Sequence, residues 1–236
     1  MYQRSVPHHT TGGFTSHRSF LSDEAYGSAL DCLVKACSDM LLVSPDGKVF
    51  LGKRRVHPQP DWWFVGGRIF PGETPIASCQ RLLRRELGLE IEASRFSAVC
   101  AQSLAWGMRQ QEPKDHGTTD SQVVLTLQLE PPEVSKVVLD EKEYVDSQWI
   151  APDAILSGHF HPALKVAVRS LIAARKVREL EAAVAAAAND AAVAALAREF
   201  CALSTQPLPA GESEYRVVAP DLAYECGVTT SGVSTN

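Results

Sequence analysis

The sequence predicts an α+β fold, a sheet packed by helices and followed by a separate Ala-rich helical extension. Three observations carry this. Strand-like apolar runs recur at 33–43, 48–53, 90–104 and 122–129. Between the second and third of them, 66–89 reads as loop, helix and loop. From 162 to 203 the chain is rich in Ala and other strong helix formers.

Residues 1–20 have Gly12-Gly13, several Ser and Thr and no apolar core, so they read as a flexible arm and not as a secretory signal. The absence of acidic residues there, with Arg4 and Arg18, leaves an organellar transit peptide as an alternative. Ser22-Asp23-Glu24 opens a short helix to about Asp31. Leu33 to Val43 is a strand, Pro45-Asp46-Gly47 a hairpin turn, and Lys48 to Lys53 the returning strand. The loop 55–65 carries Trp62, Trp63 and Phe64, aromatics that stack on a nucleobase or sugar or else pack in the core.

Gly66-Gly67 allow a sharp turn or a close backbone approach. Pro71-Gly72 is a turn, Thr74-Pro75 a helix start, and Gly88 stands where a C-cap glycine ends the helix at about Leu87. Ile76, Cys79, Leu83 and Leu87 fall on one apolar face. After the strand 90–104, interrupted near Ala93-Ser94, comes a long polar loop at 107–121. It holds Arg109, Asp115, His116 and Asp120; His116 is either a general base or an exposed loop histidine. Gln122 to Leu129 reads as a central strand ended by Glu130-Pro131-Pro132. A further strand leads to Trp149, and a short helix covers Pro152 to Leu156. Asn189-Asp190 breaks the Ala-rich extension into two helices, which pair as a homodimer arm or cap the same domain. The expected organisation is an arm at 1–20, a domain at 21–160, a helical extension at 161–204 and a loosely ordered tail at 205–236.

A net charge of -5 gives no electrostatic reason to expect nucleic acid or an anionic membrane as partner. No apolar run is long enough to span a bilayer. The six cysteines are scattered without zinc spacing, which reads as buried free thiols in a reducing, cytoplasmic setting.

The stretch GGRIFPGETPIASCQRLLRRELGL, with Gly67, Glu73, Arg81, Leu83, Glu86, Gly88 and Leu89 in register, resembles the Nudix box. Leu82 and Arg85 stand where an ordinary box has Glu. This variant looks like the GDP-mannose mannosyl hydrolase branch of the family. The resemblance implies an α/β/α sandwich with a mixed sheet. It implies one Mg²⁺, with Mn²⁺ as the substitute, held by Glu86, Glu143 and the Gly66 carbonyl, and a Glu73–Arg81 ion pair that holds the loop to the helix. By the same resemblance Asp39, Arg54 and Arg68 serve the active site. Arg54 and Arg68 contact the diphosphate, as a guanidinium fork suits phosphate oxygens, and Trp63 is available for the substrate. Tyr144 falls where the branch has its His base, leaving Glu143, Glu141 and His116 as candidates for activating water. The implied reaction hydrolyses a nucleoside diphosphate sugar to nucleoside diphosphate and free sugar by attack at carbon. The alternatives are attack at phosphorus on a nucleoside diphosphate derivative, and a nucleotide-binding or scaffold module without turnover.

Overall fold

Strand β1, Lys35–Val43, is the spine of the molecule, because its nine residues pair with three other strands. The computed structural model describes residues 5–137, 139 and 143–205, with the backbone of 216–218 and 223–225. Ahead of β1 lies helix α1, Asp23–Cys32, capped by the Ser22 side chain. After it come β2 (Val49–Arg54), β3 (Trp62–Trp63), β4 (Val65–Arg68) and helix α2 (Pro75–Leu87). β5 (Ser97–Trp106), β6 (Thr118–Gln128), the short helix α3 (Pro131–Val134) and β7 (Tyr144–Ile150) follow. Three helices come next, α4 (Pro152–Ser157), α5 (Pro162–Ala185) and α6 (Asp190–Ser204). A two-stranded ladder, β8 (Arg216–Val218) with β9 (Ala223–Glu225), lies in the tail.

The main sheet runs β3-β2-β1-β6-β5, with β4 added on β1 and β7 on β2. β1 and β6 are parallel while the other pairs are antiparallel, so the sheet is mixed as expected. Successive side chains of a strand point to opposite faces, and β1 divides two cores that way. Leu41 and Val43 join Val49, Leu51, Trp63, Trp106 and Val124 beneath α5. Met40 and Leu42 join Phe50, Val65, Leu125 and Leu127 beneath α2. Helices on both faces make the α/β/α sandwich.

Helix α2 forms where the sequence places it. Thr74 Oγ1 accepts the Ala77 N–H at 3.0 Å, Pro75 takes the first turn, and Gly88 closes the helix in the left-handed conformation at φ 64°. Its buried side is Cys79, Leu82, Leu83 and Leu87, all at most 1% exposed. Each such leucine contributes roughly 1.5–3 kcal/mol by leaving water, so α2 is anchored firmly against β4 and β1.

The first half of α5 is core and not appendage. Ala163, Leu164, Ala167, Val168 and Leu171 all belong to the cluster on that face. The expected boundary at 160 therefore separates α5 from the sheet it covers. Asn189 caps α6 by accepting the Ala192 N–H at 3.0 Å, and the two helices pair as a hairpin clipped by Lys176 to Glu199 at 2.9 Å. The break falls at the expected residues. The arm, described from residue 5, has no helix or strand before α1, yet Arg18 stacks over the Phe70 ring at 3.4 Å from the box loop.

Of the described cysteines, Cys37 and Cys79 are buried, Cys100 is half-buried, and Cys32 and Cys201 are exposed, so burial holds for only part of the set. Cys226 lies outside the described residues, as does most of the tail expected to be loosely ordered. Among the described residues no helix is long and apolar enough to cross a membrane.

Candidate active site

One face of the sheet changes from apolar to polar along its length. Leu41 and Val43 on β1, and Val124 on β6, belong to the core under α5. Towards the start of each strand, two and four residues earlier, the same rows become Asp39 and Cys37, and Gln122 and Asp120. These polar ends line a cleft of about 220 Å³, together with Arg54, Gln59, Gly66, Arg68, Arg85 and Glu143. Among the described residues three larger depressions lie elsewhere, one of about 770 Å³ beside Asp31 and His116, one of about 690 Å³ under the arm, and one of about 420 Å³ beside Asp46 and Trp149. None contains the residues of the box helix.

Asp39 is 4% exposed and directly opposite Gly66 in the β1–β4 ladder. A Cβ at Gly66 would collide with the Asp39 carboxylate, so glycine is required for the two strands to close over it. The Gln122 side chain donates its Nε2–H to Asp39 Oδ2 at 2.7 Å. Burial pushes the Asp39 carboxyl up to about 7, against the lowering effects of the Gln122 hydrogen bond and of Arg54; Asp120 and Glu86 add to the rise. A carboxyl with that pKa gives up and takes a proton near neutral pH.

Glu86 reaches the site from the last turn of α2 and is 3% exposed. Its Oε2 accepts the Tyr144 hydroxyl at 2.8 Å, and its Oε1 accepts Arg85 Nη2–H at 2.5 Å. Burial raises its pKa; the hydroxyl of Tyr144 acts against this, while the charge of Glu143 adds to it. Burial and the Glu86 charge push the Tyr144 phenol far above its ordinary value, so Tyr144 is a hydrogen-bond donor here and no base. Glu143 lies 3.8 Å from Arg54 and 3.9 Å from Arg85. A one-residue irregularity in the β2–β7 ladder between Lys53 and Arg54 brings Arg54 level with Tyr144, beside Glu143.

The set expected to hold Mg²⁺ or Mn²⁺ was Gly66, Glu86 and Glu143. Such an ion needs about six oxygens in near-octahedral order. Glu86 has both oxygens engaged by protein donors, and a guanidinium lies against it on the side towards Glu143. Among the described residues no group of three or more His, Cys, Asp or Glu is gathered for a metal. The residues present, as arranged, do not fit the ion, because a covalently attached cation is already within reach of both carboxylates.

The remaining expectations divide. Asp39, Arg54, Arg68, Gly66 and Glu143 all line the cleft. Arg68 is exposed, with its guanidinium over the Tyr26 ring at 4.9 Å. Trp63 borders the cleft, but it is 4% exposed and packed edge-on by Trp106 and His161, so its faces serve the core and not a stacked base. His116 does not belong to the cleft: its ring nitrogen lies 3.2 Å from Asp31 of α1. Glu141 lies outside the described residues. Glu73 and Arg81 form the expected ion pair, bidentate at 2.6 and 2.8 Å, and Arg81 also donates to the Arg68 carbonyl.

Three contributors were missed. Lys35 pairs with Asp120 at 3.0 Å at the rim, and Gln122 orders Asp39. Gln59 is 1% exposed, and neither atom of its amide has a hydrogen-bond partner among the described residues. The only sequence signal for Gln59 was a polar residue between Pro58 and Pro60, a pattern that says nothing of burial.

Several solved structures match part of this chain. A MutT protein from Methanosarcina mazei is 15% identical, with 58% of this chain and 92% of that one covered and a TM-score of 0.43. The E. coli dihydroneopterin triphosphate pyrophosphohydrolase is 17% identical, covering 58% and 95%, with a TM-score of 0.44. An Ap4A hydrolase from C. elegans is 17% identical, covering 59% and 96%, with a TM-score of 0.42. The NUDIX domain family profile matches residues 36–171, from the second residue of β1 into the core-packed half of α5. That match takes in the main sheet but for the first residue of β1, the box helix, and the cleft lining except Tyr26 and Lys35, and this chain belongs to the Nudix family.

Proposed function

We propose that the cleft binds and hydrolyses a nucleoside diphosphate derivative, with a nucleotide sugar of the GDP-mannose kind as substrate and attack at the anomeric carbon. The observation that carries this reading is Asp39, a buried carboxyl with a pKa of about 7, held at the floor of a cleft that also presents Arg54, Arg68 and Arg85. Arg54 and Arg68 take the diphosphate through fixed forks of N–H donors. They stabilise the negative charge that grows on the diphosphate as the bond from carbon to oxygen breaks, which is where preorganised donors act best. Asp39, oriented by Gln122, receives the proton of the attacking water. Glu143 holds Arg54 and Arg85 towards the cleft, so its role is to position them.

Two features support attack at carbon over phosphorus. Leu82 is buried in the core beside Gly67 and presents nothing to the cleft. Arg85 is cationic. The box helix therefore lacks two of the three carboxylates of an ordinary box, and what remains suits charge stabilisation of a leaving group. The sealed state of Glu86 favours a second reading, nucleotide binding without turnover.

The test is incubation of the full chain with GDP-mannose in ¹⁸O-labelled water, followed by resolution of the products, with Asp39→Asn alongside. GDP and labelled mannose, formed by the wild type and reduced at least about a hundredfold in the variant, is the expected result. GMP and mannose 1-phosphate would refute attack at carbon. No turnover on this or a panel of other nucleotide sugars and dinucleotides would leave the binding reading in its place.

A further inference from the structure

Arg85 stands next to Glu86 in sequence, and neighbours on a helix do not normally face one another. Its long side chain nevertheless turns back, so that Nη2 lies 2.5 Å from Glu86 Oε1. The Glu86 side chain is 2% exposed and that of Arg85 55% exposed, so the guanidinium covers the carboxylate from the solvent side. The same nitrogen is 3.9 Å from Glu143 Oε2. A buried carboxylate without a partner is strongly unfavourable, and here Arg85 and Tyr144 supply both partners internally. A guanidinium has five N–H donors and keeps its charge at every pH at which the chain is folded. One hydrogen bond goes to Glu86, and Arg85 is also part of the cleft wall, so donors remain for a ligand.

We infer that Arg85 is the resident cation of this site. It bridges Glu86 and Glu143 and presents the remaining donors to the diphosphate, so that a nucleoside diphosphate binds here without a divalent metal. The inference rests on the proposed nucleoside diphosphate reading for its ligand, but its statement about the cation can be tested without any ligand.

The experiment has two parts, both on the full chain. Free Mn²⁺ is titrated by electron paramagnetic resonance in the absence of nucleotide. GDP is titrated calorimetrically in EDTA and again in MgCl₂. The wild type is expected to show no Mn²⁺ site tighter than millimolar, and GDP affinities that agree within about threefold between the two buffers. Arg85→Glu places a third carboxylate beside Glu86 and Glu143. It is expected to gain a Mn²⁺ site, to lose about ten- to a hundredfold in GDP affinity in EDTA, and to recover much of that loss with Mn²⁺. If Arg85→Glu does not fold, Arg85→Ala gives the same loss in EDTA. A wild-type Mn²⁺ site that disappears in Glu86→Gln, or a GDP affinity that collapses in EDTA, overturns the inference. If GDP binds in neither buffer, the nucleoside diphosphate reading fails, while the Mn²⁺ titrations of wild type and Arg85→Glu still decide whether Arg85 takes the metal's place.

Discussion

Replacing Asp39 by Asn removes a charge that the fold holds at a disadvantage, and the size of that disadvantage follows from the site. The carboxyl has a pKa of about 7 in the folded protein against 3.8 for the unperturbed group. A raised folded pKa means that the native state holds the proton more tightly than the unfolded chain. Well below pH 4 the group is protonated in both states and makes no difference. From there to about pH 7 ionisation increasingly favours the unfolded chain, and beyond pH 7 the effect is constant. The gap is about three units at about 1.4 kcal/mol each, or about 4 kcal/mol in full, of which about 2–3 kcal/mol develops between pH 5 and pH 8. Asn keeps the shape and an oxygen to accept the Gln122 N–H, and it cannot ionise. Urea unfolding of wild type and Asp39→Asn at both pH values isolates this contribution. The variant should gain stability over wild type at pH 8, and the gain should exceed that at pH 5 by about 2–3 kcal/mol. A gain of equal size at the two pH values would falsify the account of Asp39 as a carboxyl whose pKa is lifted by burial.

Other substitutions report on the neighbouring contacts. Tyr144→Phe removes the hydroxyl that Glu86 Oε2 accepts, and should lower stability by about 1–3 kcal/mol near pH 8 in urea unfolding, with less loss near pH 4 where Glu86 is protonated. Gly66→Ala drives a Cβ into the Asp39 carboxylate and should destabilise by about 1–3 kcal/mol; combined with Asp39→Ala, part of that loss should return, and strict additivity of the two would contradict the contact. Gln59→Leu deletes two buried polar atoms that have no hydrogen-bond partner among the described residues, so melting temperature should hold or rise while GDP affinity falls by about tenfold, measured by calorimetry. A drop in stability for this variant would mean that Gln59 is bound internally.

Much of the framework was legible because local signals agree with their surroundings. Thr74, Pro75 and Gly88 carry cap and turn chemistry that needs no tertiary partner, and helix α2 starts and stops on them. Asn189 likewise separates the two C-terminal helices by a cap of its own. Asp39 was marked by the resemblance alone, and the structure buries it at the cleft. What failed to show in the sequence was burial and pairing across distance. Trp63 was chemically able to stack on a base, but Trp106 and His161 come from other parts of the chain and close around its ring. His116 had suitable chemistry, but Asp31 of α1 draws it to the neighbouring depression. The α5 boundary was misplaced because Ala-rich sequence gives the same helix signal whether one face is covered or not.

Arg85 shows why a spacing argument on a helix face does not finish the chemistry. Positions 82, 85 and 86 lie within one turn and are grouped together by the three- and four-residue rule. On that basis Leu82 and Arg85 look like two equivalent losses of a metal ligand. They are not equivalent. Leu82 turns into the core against Gly67, where a carboxylate would be unpaired and buried. Arg85 remains at the surface and bends over Glu86, towards a carboxylate supplied by Glu143 from another part of the chain. One change removes a ligand; the other replaces an ion. A Nudix site can therefore lose its acidic face and still keep positive charge at the same place, provided that one buried carboxylate and one distant partner remain to hold the guanidinium there. Glu86 and Glu143 are those residues, and their retention in a box that has lost the other carboxylates is what a site built around an internal cation requires.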